Sequence, residues 1–353
     1  MEKPPESKGP GRLSPGLRRA TRIMLASLLL TVACDGREPP AGDDDASLAN
    51  ERAPQQAGGF ERTGVIDSPE LDEISGLAVT GSEHYVVHND DGPPRLYLLD
   101  SLGKLVRRLD LAPAENQDWE DLAVVPSASG SLLVVGDIGD NLKTRDSIQL
   151  YFTELPTPPE SFTAAAGDEA GPLPVIHGLR LRYPDGAHDT ESLAYEPASH
   201  RLILLTKRDQ PPRLYGIGVN TALHTDEAVL EYLGELKTLR PPTPADLLLD
   251  PLRGAWISQP TALDFSRDGR TAAVLTYRSL YVFRREAEED WASAFNRRPV
   301  EYTGPPDTHD EAVAFDGAGR IVVTTEGRPA PLYRLVLPED SGAVRSAQSE
   351  SRP

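Results

Sequence analysis

Glu191-Ser-Leu-Ala194 heads an apolar run, and the same kind of phrase heads four others: Ser75-Gly-Leu-Ala78, Glu120-Asp-Leu-Ala123, Thr261-Ala-Leu-Asp264 and Glu311-Ala-Val-Ala314. Each copy opens a similar series. A short run comes first, then a turn, then an apolar run ending in charged residues, then a run containing Tyr. After Glu191 the runs cover 193–196, 201–206, 213–217 and 229–236. They are short, rich in Val, Leu, Ile and Tyr, and bounded by Gly, Pro, Asn and Asp, which reads as strand. One sheet unit is thus repeated along the chain, and four strands per unit in radial repetition make a β-propeller. The class is all-β, and the repeats count five four-stranded blades. The last unit offers only three runs. Residues 60–66 have no unit of their own, so they are predicted to supply the missing strand and close the ring. Residues 156–174 and 238–258 are Pro-rich and read as insertions. Either has room for a degenerate blade, so six blades is the alternative, with a β-sandwich behind it.

Outside the repeats lie segments of other kinds. Arg18, Arg19 and Arg22 precede an apolar run, 23–33, which is too short for a helix across a bilayer, about 20 residues. It ends Leu30-Thr-Val-Ala-Cys34, which resembles a bacterial lipoprotein signal. The expectation is a signal peptide over 1–33, lipidation of Cys34, a tether over 34–59, a propeller over 60–338 and a tail over 339–353. Cys34 is the only cysteine, so no intrachain disulfide can form. The tether is polar and rich in Pro and Gly, and cannot bury enough surface to order itself. The expected location is the cell envelope, facing the periplasm or exterior.

The formal charge is −19, from 36 Lys and Arg against 55 Asp and Glu. Loss of residues 1–33, with six basic and two acidic side chains, makes the body more acidic still. Such a body repels nucleic acid, whose binding needs clustered Lys and Arg. It repels anionic lipid as well, so membrane contact is expected through the lipid anchor only. A monomer with an envelope ligand or protein partner is expected.

In a propeller, the entry to the innermost strand and the exit of the second strand lie on one face. The phrase is expected in the entry loops, its leading residues ringing the tunnel mouth. The second-strand ends, including Asp137-Ile-Gly-Asp-Asn141, Lys207-Arg208, Tyr277-Arg278 and Glu326, form a wider ring. Carboxylates about 6 Å apart repel by about 3 kcal/mol at an effective dielectric near 20. Glu120, Glu191 and Glu311, with Asp137 or Asp140, would therefore raise their pKa values or recruit a cation. Oxygen-only ligands favour a hard ion, Ca²⁺ before Mg²⁺. Lys207, Arg208 and Arg278, with Asn141, are candidates to hold an anionic ligand beside it. Each has a plainer reading. Asp137-Ile-Gly-Asp-Asn141 suits a turn, the Glu column could stitch blade to blade, Trp119 suits packing between blades, and His188 and His309 suit exposed loops.

Asp189-Thr-Glu-Ser-Leu-Ala-Tyr-Glu-Pro197 with Leu202-Ile-Leu-Leu-Thr-Lys207, and Asp310-Glu-Ala-Val-Ala-Phe-Asp316 with Ile321-Val-Val-Thr-Thr-Glu326, resemble the phytase-like and esterase-like phytase propellers. The resemblance implies that Glu191, Glu311 and Glu120 help hold Ca²⁺ at the tunnel mouth. The chain departs from the family where Asp121, Ser192 and Ala312 follow the Glu in place of Gly, and it has no clear lysine-rich phosphate loop. Asp118-Trp-Glu-Asp-Leu-Ala123 with Gly136-Asp-Ile-Gly-Asp-Asn141 also resembles a pattern of exported bacterial propellers. Two function classes remain open: a tethered binding propeller with an acidic, Ca²⁺-accepting mouth, or a Ca²⁺-dependent hydrolase of phosphate or carboxylic esters. No Gly-x-Ser-x-Gly elbow, phosphate loop or His-Glu-x-x-His is present.

Overall fold

The computed structural model describes residues 55–56 and 59–338, apart from 82, 129, 159–171, 252 and 305–308. Cys34, the signal segment, nearly all of the tether and the tail lie outside the described residues. Among the described residues no helix is long and apolar enough to cross a membrane.

Five sheets, antiparallel across their four blade strands, form a ring, and each carries one copy of the phrase on its innermost strand. The innermost strands are Ile74–Thr80, Trp119–Ser127, Thr190–Glu196, Pro260–Phe265 and Asp310–Phe315. Each neighbours the next, and the fifth lies beside the first. The fold is a five-bladed β-propeller. The fifth blade is closed by Phe60–Ile66, antiparallel to Ala330–Leu335, as the unpaired run foretold.

Both faces of each blade are covered by its neighbours, which explains why the strands read as apolar runs rather than as clean alternation. Arg201–Thr206 and Thr271–Thr276 are buried almost throughout. The core is accordingly five seams, one between each pair of adjacent blades. Trp119, for example, packs with Val86, Leu96 and Leu98 of the first blade. Phe265 packs with Ile203 and Leu205 of the third.

Two expectations need correction. Residues 229–236 were expected as one strand, but the chain divides them. Glu227–Val229 runs parallel on the edge of the second blade, and Glu231–Glu235 completes the third. Leu230 is buried between the two and turns the chain from one blade to the next. Among its described residues the segment 238–258 holds no strand and so no sixth blade. It forms a short helix, Pro244–Leu249, started by Pro at its first turn and a capping box between Thr243 and Asp246. Leu173–Pro174, from the other insertion, adds a parallel edge pairing to the first blade.

Candidate functional site

The phrase does not sit in the entry loops. Its leading residues are the second residues of the innermost strands, and the pairing skips them. Register shifts fall between Ile74 and Gly76, Trp119 and Asp121, Thr190 and Ser192, Pro260 and Ala262, and Asp310 and Ala312. Ser75, Glu120, Glu191, Thr261 and Glu311 are thus five bulge residues at equivalent positions, and all are buried. A bulge takes a residue out of the ladder and re-aims its side chain. No propensity rule marks such a site in the sequence; its only signal was the recurrence of the phrase.

The bulge residues make specific contacts around the ring. Ser75 Oγ donates to Glu120 Oε2 at 3.0 Å, and Thr261 Oγ1 donates to the Asp310 carbonyl at 2.8 Å. Glu191 Oε1 lies 2.8 Å from the Lys207 ammonium. That ammonium also sits over the Tyr277 ring, 5.0 Å from its centre. Lys207 follows the second strand of the third blade and Tyr277 that of the fourth. In four blades the residue after the second strand donates its N–H to the chain two residues before the bulge: Asp90 to Glu73, Ile138 to Asp118, Lys207 to Asp189 and Glu326 to His309. This repeated bond fixes the outer residues against the mouth.

The electrostatics follow from burial. Glu120 is pushed well above the carboxylate range by desolvation, then by Glu191 and Asp118. Glu311 is pushed the same way by desolvation, against the pull of Lys207. Burial pulls the Lys207 ammonium down, but Glu191, Glu311, Tyr277 and Glu120 together outweigh it and hold the lysine charged. Around this centre stand further acids. Asp90 is raised to about 7 by burial and by Glu73 and Glu326, and Asp118 to about 6 by burial and by Glu191 and Asp189.

The structure brings together only part of the expected site. Lys207, Glu120, Glu191 and Glu311 share the mouth. Asp137 is paired with Arg145 at 2.8 Å and accepts from the Gln117 and Asp118 N–H groups. Asp140 accepts from the Thr144 and Arg145 N–H groups, so the motif 137–141 is a clamped turn. A Cβ on Gly139 would lie 2.4 Å from Glu120 Oε1 and 2.5 Å from Asp118 Oδ2, so a larger residue there would displace those carboxyl groups. Asn141 faces solvent. Arg208 pairs with Asp189. Arg278 is bound to Asp246 at 2.7 Å, to Ser258 Oγ and to the Arg240 carbonyl, and so ties down the segment 238–258. Among the described residues no group of three or more His, Cys, Asp or Glu is arranged to hold a metal ion. The candidate ligands are divided between Lys207, Arg145 and backbone N–H groups, and they do not form an oxygen cage for Ca²⁺.

Blade-to-blade stitching is present: beside the Ser75–Glu120 and Thr261–Asp310 bonds, aspartates accept from backbone N–H groups of the next blade. Asp121 Oδ2 accepts from the Leu193 N–H of the third blade, and Asp264 Oδ2 from the Phe315 N–H of the fifth. His188 is buried rather than exposed, with Nδ1 2.7 Å from Asp209 and Nε2 3.2 Å from Asp185.

Sequence reasoning missed a cavity of about 610 Å³ beside the mouth. Its blade wall is Asp72, Glu73, Tyr277, His309, Glu326 and Gly327; its other wall comes from the insertion, with Asp250, Arg253, Gly254, Trp256 and Ile257. Arg253 Nη1 donates to His309 Nε2 at 2.5 Å, and burial and that guanidinium hold the imidazole below its usual pKa. Four acidic residues and one arginine thus line the cavity. Trp256 is half exposed, at 53%.

Fold and site define a five-bladed propeller whose acidic mouth holds its own ammonium and opens beside a mixed acidic and aromatic cavity. No family model matches the chain, and no curated protein matches it. Among solved structures it is similar to the β-propeller domain of Cps50 (Swd1) from Myceliophteria thermophila, with 13% identity over 81% of this chain and 70% of that chain and a TM-score of 0.36. The blade count stands on the strand pairing described above.

Proposed function

We propose that the protein is a lipid-tethered, monomeric binding propeller of the cell envelope, anchored through Cys34, that takes a small organic cation into the cavity beside its tunnel mouth. The observation that carries this reading is the composition of the cavity wall. Asp72, Glu73, Asp250 and Glu326 supply negative charge, while Tyr277 and Trp256 supply aromatic faces. A volume of about 610 Å³ suits a small molecule. Carboxylates and aromatic faces together recognise ammonium groups. Glu326 is raised by burial and by Glu191 and Glu73, against the pull of Lys207 and Arg253, so an arriving cation would relieve this repulsion. The acidic body steers cations inward. The ester-hydrolase alternative draws no support from the site, because Glu191 is engaged by Lys207 and Asp137 by Arg145.

Calorimetric titration with putrescine, choline and a neutral polyol of similar size tests the reading. The two cations should bind and the polyol should not. Trp256→Ala should weaken cation binding roughly 2- to 30-fold, as loss of a contact worth about 0.5–2 kcal/mol requires. Glu326→Gln should weaken it as well, with a smaller dependence on salt. Equal binding of the polyol, or no binding of either cation, rejects the proposal.

A further inference from the structure

A short helix in a folded protein draws most of its stability from packing an apolar face. Pro244–Leu249 does the opposite. It has no buried residue, and Leu247, Leu248 and Leu249 are 45, 82 and 84% exposed. Its polar residues do the holding. Asp246 accepts from the Thr243 N–H and from Arg278 Nη1, both at 2.7 Å, and the Arg253 N–H donates to Asp250 Oδ1 at 3.0 Å. A Cβ on Gly254 would lie 2.4 Å from the Asp246 carbonyl oxygen, so the returning chain lies hard against the helix. Three consecutive leucines are thus held out to solvent on a braced support, and a contiguous exposed apolar patch marks an interaction surface.

Two observations point to what covers it. Gln55–Gln56 runs parallel to Glu301 and Tyr302 on the outer edge of the fourth blade, and Arg240 of the insertion donates to Glu301 Oε1 at 3.3 Å. The chain that follows Cys34 therefore reaches the propeller on the blade to which the insertion is tied. Gln55 lies 21 residues after Cys34, and a random-coil chain of that length spans about 25 Å between its ends. Charge is the second observation. Residues 238–258 carry Arg240 and Arg253 against Asp246 and Asp250, so this segment is neutral in a chain of formal charge −19. It can approach a lipid surface from which the rest of the body would be repelled.

We propose that Leu247, Leu248 and Leu249 form a membrane contact of their own, inserting into the surface of a zwitterionic bilayer beside the Cys34 anchor. The proposal rests on the lipid-tether part of the reading above and adds to it a contact made by the folded domain. Apolar side chains on an exposed helix bury themselves at the boundary between headgroups and acyl chains. Asp250, which follows Leu249 directly, belongs to the cavity wall, so insertion would bring the cavity to the level of the headgroups.

The experiment places a polarity-sensitive fluorophore on one cysteine of the full chain, with Cys34→Ser removing both the anchor and the native thiol. The label sits at Leu248→Cys or, as the control, at Gly317→Cys, an open turn position. On addition of phosphatidylcholine vesicles the label at 248 should brighten and shift to the blue, and the label at 317 should not. Adding Leu247→Ser and Leu249→Ser, both exposed and so harmless to the fold, should abolish the response at 248. The anchor is read separately, as the mass of the Cys34 peptide from membranes of a bacterium expressing the unaltered chain. A response at 248 with an unmodified Cys34 would remove the anchor and keep the contact. A modified Cys34 with no response at 248 would keep the anchor and overturn the contact. Brightening at 248 that needs no vesicles and grows with protein concentration would assign the leucines to a second copy of the chain and overturn it as well.

Discussion

Lys207 and Glu191 sit 2.8 Å apart and both are buried, so neither tolerates the loss of its partner. Removing one member of a buried pair costs about 3–5 kcal/mol, because the other charge stays buried. Asp264 offers a pH test at the same scale. Burial pushes its carboxyl up to about 7, against hydrogen bonds from the Phe315 and Phe265 N–H groups. Between about pH 4 and 7 the folded chain holds a proton there that the unfolded chain has lost. Stability from this group is therefore fully present below about pH 4 and declines as pH rises through 7. Denaturation midpoints measured from pH 4.5 to 8 should fall more steeply for wild type than for Asp264→Asn. Every other titrating group is common to both, so parallel profiles would sink the assignment. The phrase marks Asp264, which stands where the other four copies carry Ala, but only the neighbouring blade makes it an acceptor for the Phe315 N–H.

At the scale of the element, the innermost strand combines two codes. Its Leu-Ala half feeds the seams, as with Leu193 and Ala194, which enter the two seams on either side of the third blade. Its leading residue is expelled as a bulge. Only the first code follows from apolar patterning. The closing strand Phe60–Ile66 carries a separate constraint. Val65 N–H donates to the Leu102 carbonyl at 2.9 Å, and a Cβ on Gly64 would lie 2.4 Å from that same oxygen. Gly64→Ala should therefore destabilise by about 1–3 kcal/mol, the usual range for forcing an atom into a packed site. Gly317→Ala, where a Cβ meets nothing within 4 Å, should stay within about 0.5 kcal/mol. Melting temperatures of the two variants make the comparison, and equal shifts would contradict the close-approach argument.

For the whole molecule, closure of the ring is the central fact. Five seams share the burial, and the fifth blade is complete only when the chain's first long strand pairs with its last. An unpaired Ala330–Leu335 would present an open edge, a template for association. Deletion of residues 1–58 should leave the melting temperature within a few degrees of wild type. Deletion of 1–66 should lower it sharply and produce scattering on warming. Equal behaviour of the two truncations would remove the closing role from Phe60–Ile66.

The sequence by itself showed four-stranded blades, a count of five with six left open, the closing strand and the recurrence of Ser75, Glu120, Glu191, Thr261 and Glu311 at one position, because strand periodicity and a repeated phrase are local properties. Tertiary structure alone decided what those residues do. Lys207 lies 16 residues from Glu191 along the chain, and the two meet because the second strand turns back beside the first, antiparallel to it. Cysteine counting and charge could suggest a metal for the ring, but not that an ammonium from the chain stands there. The stitching aspartates and the cavity under 250–257 were hidden for the same reason. Each is made by segments from different blades, and no pattern within one segment records what the next will bring to it.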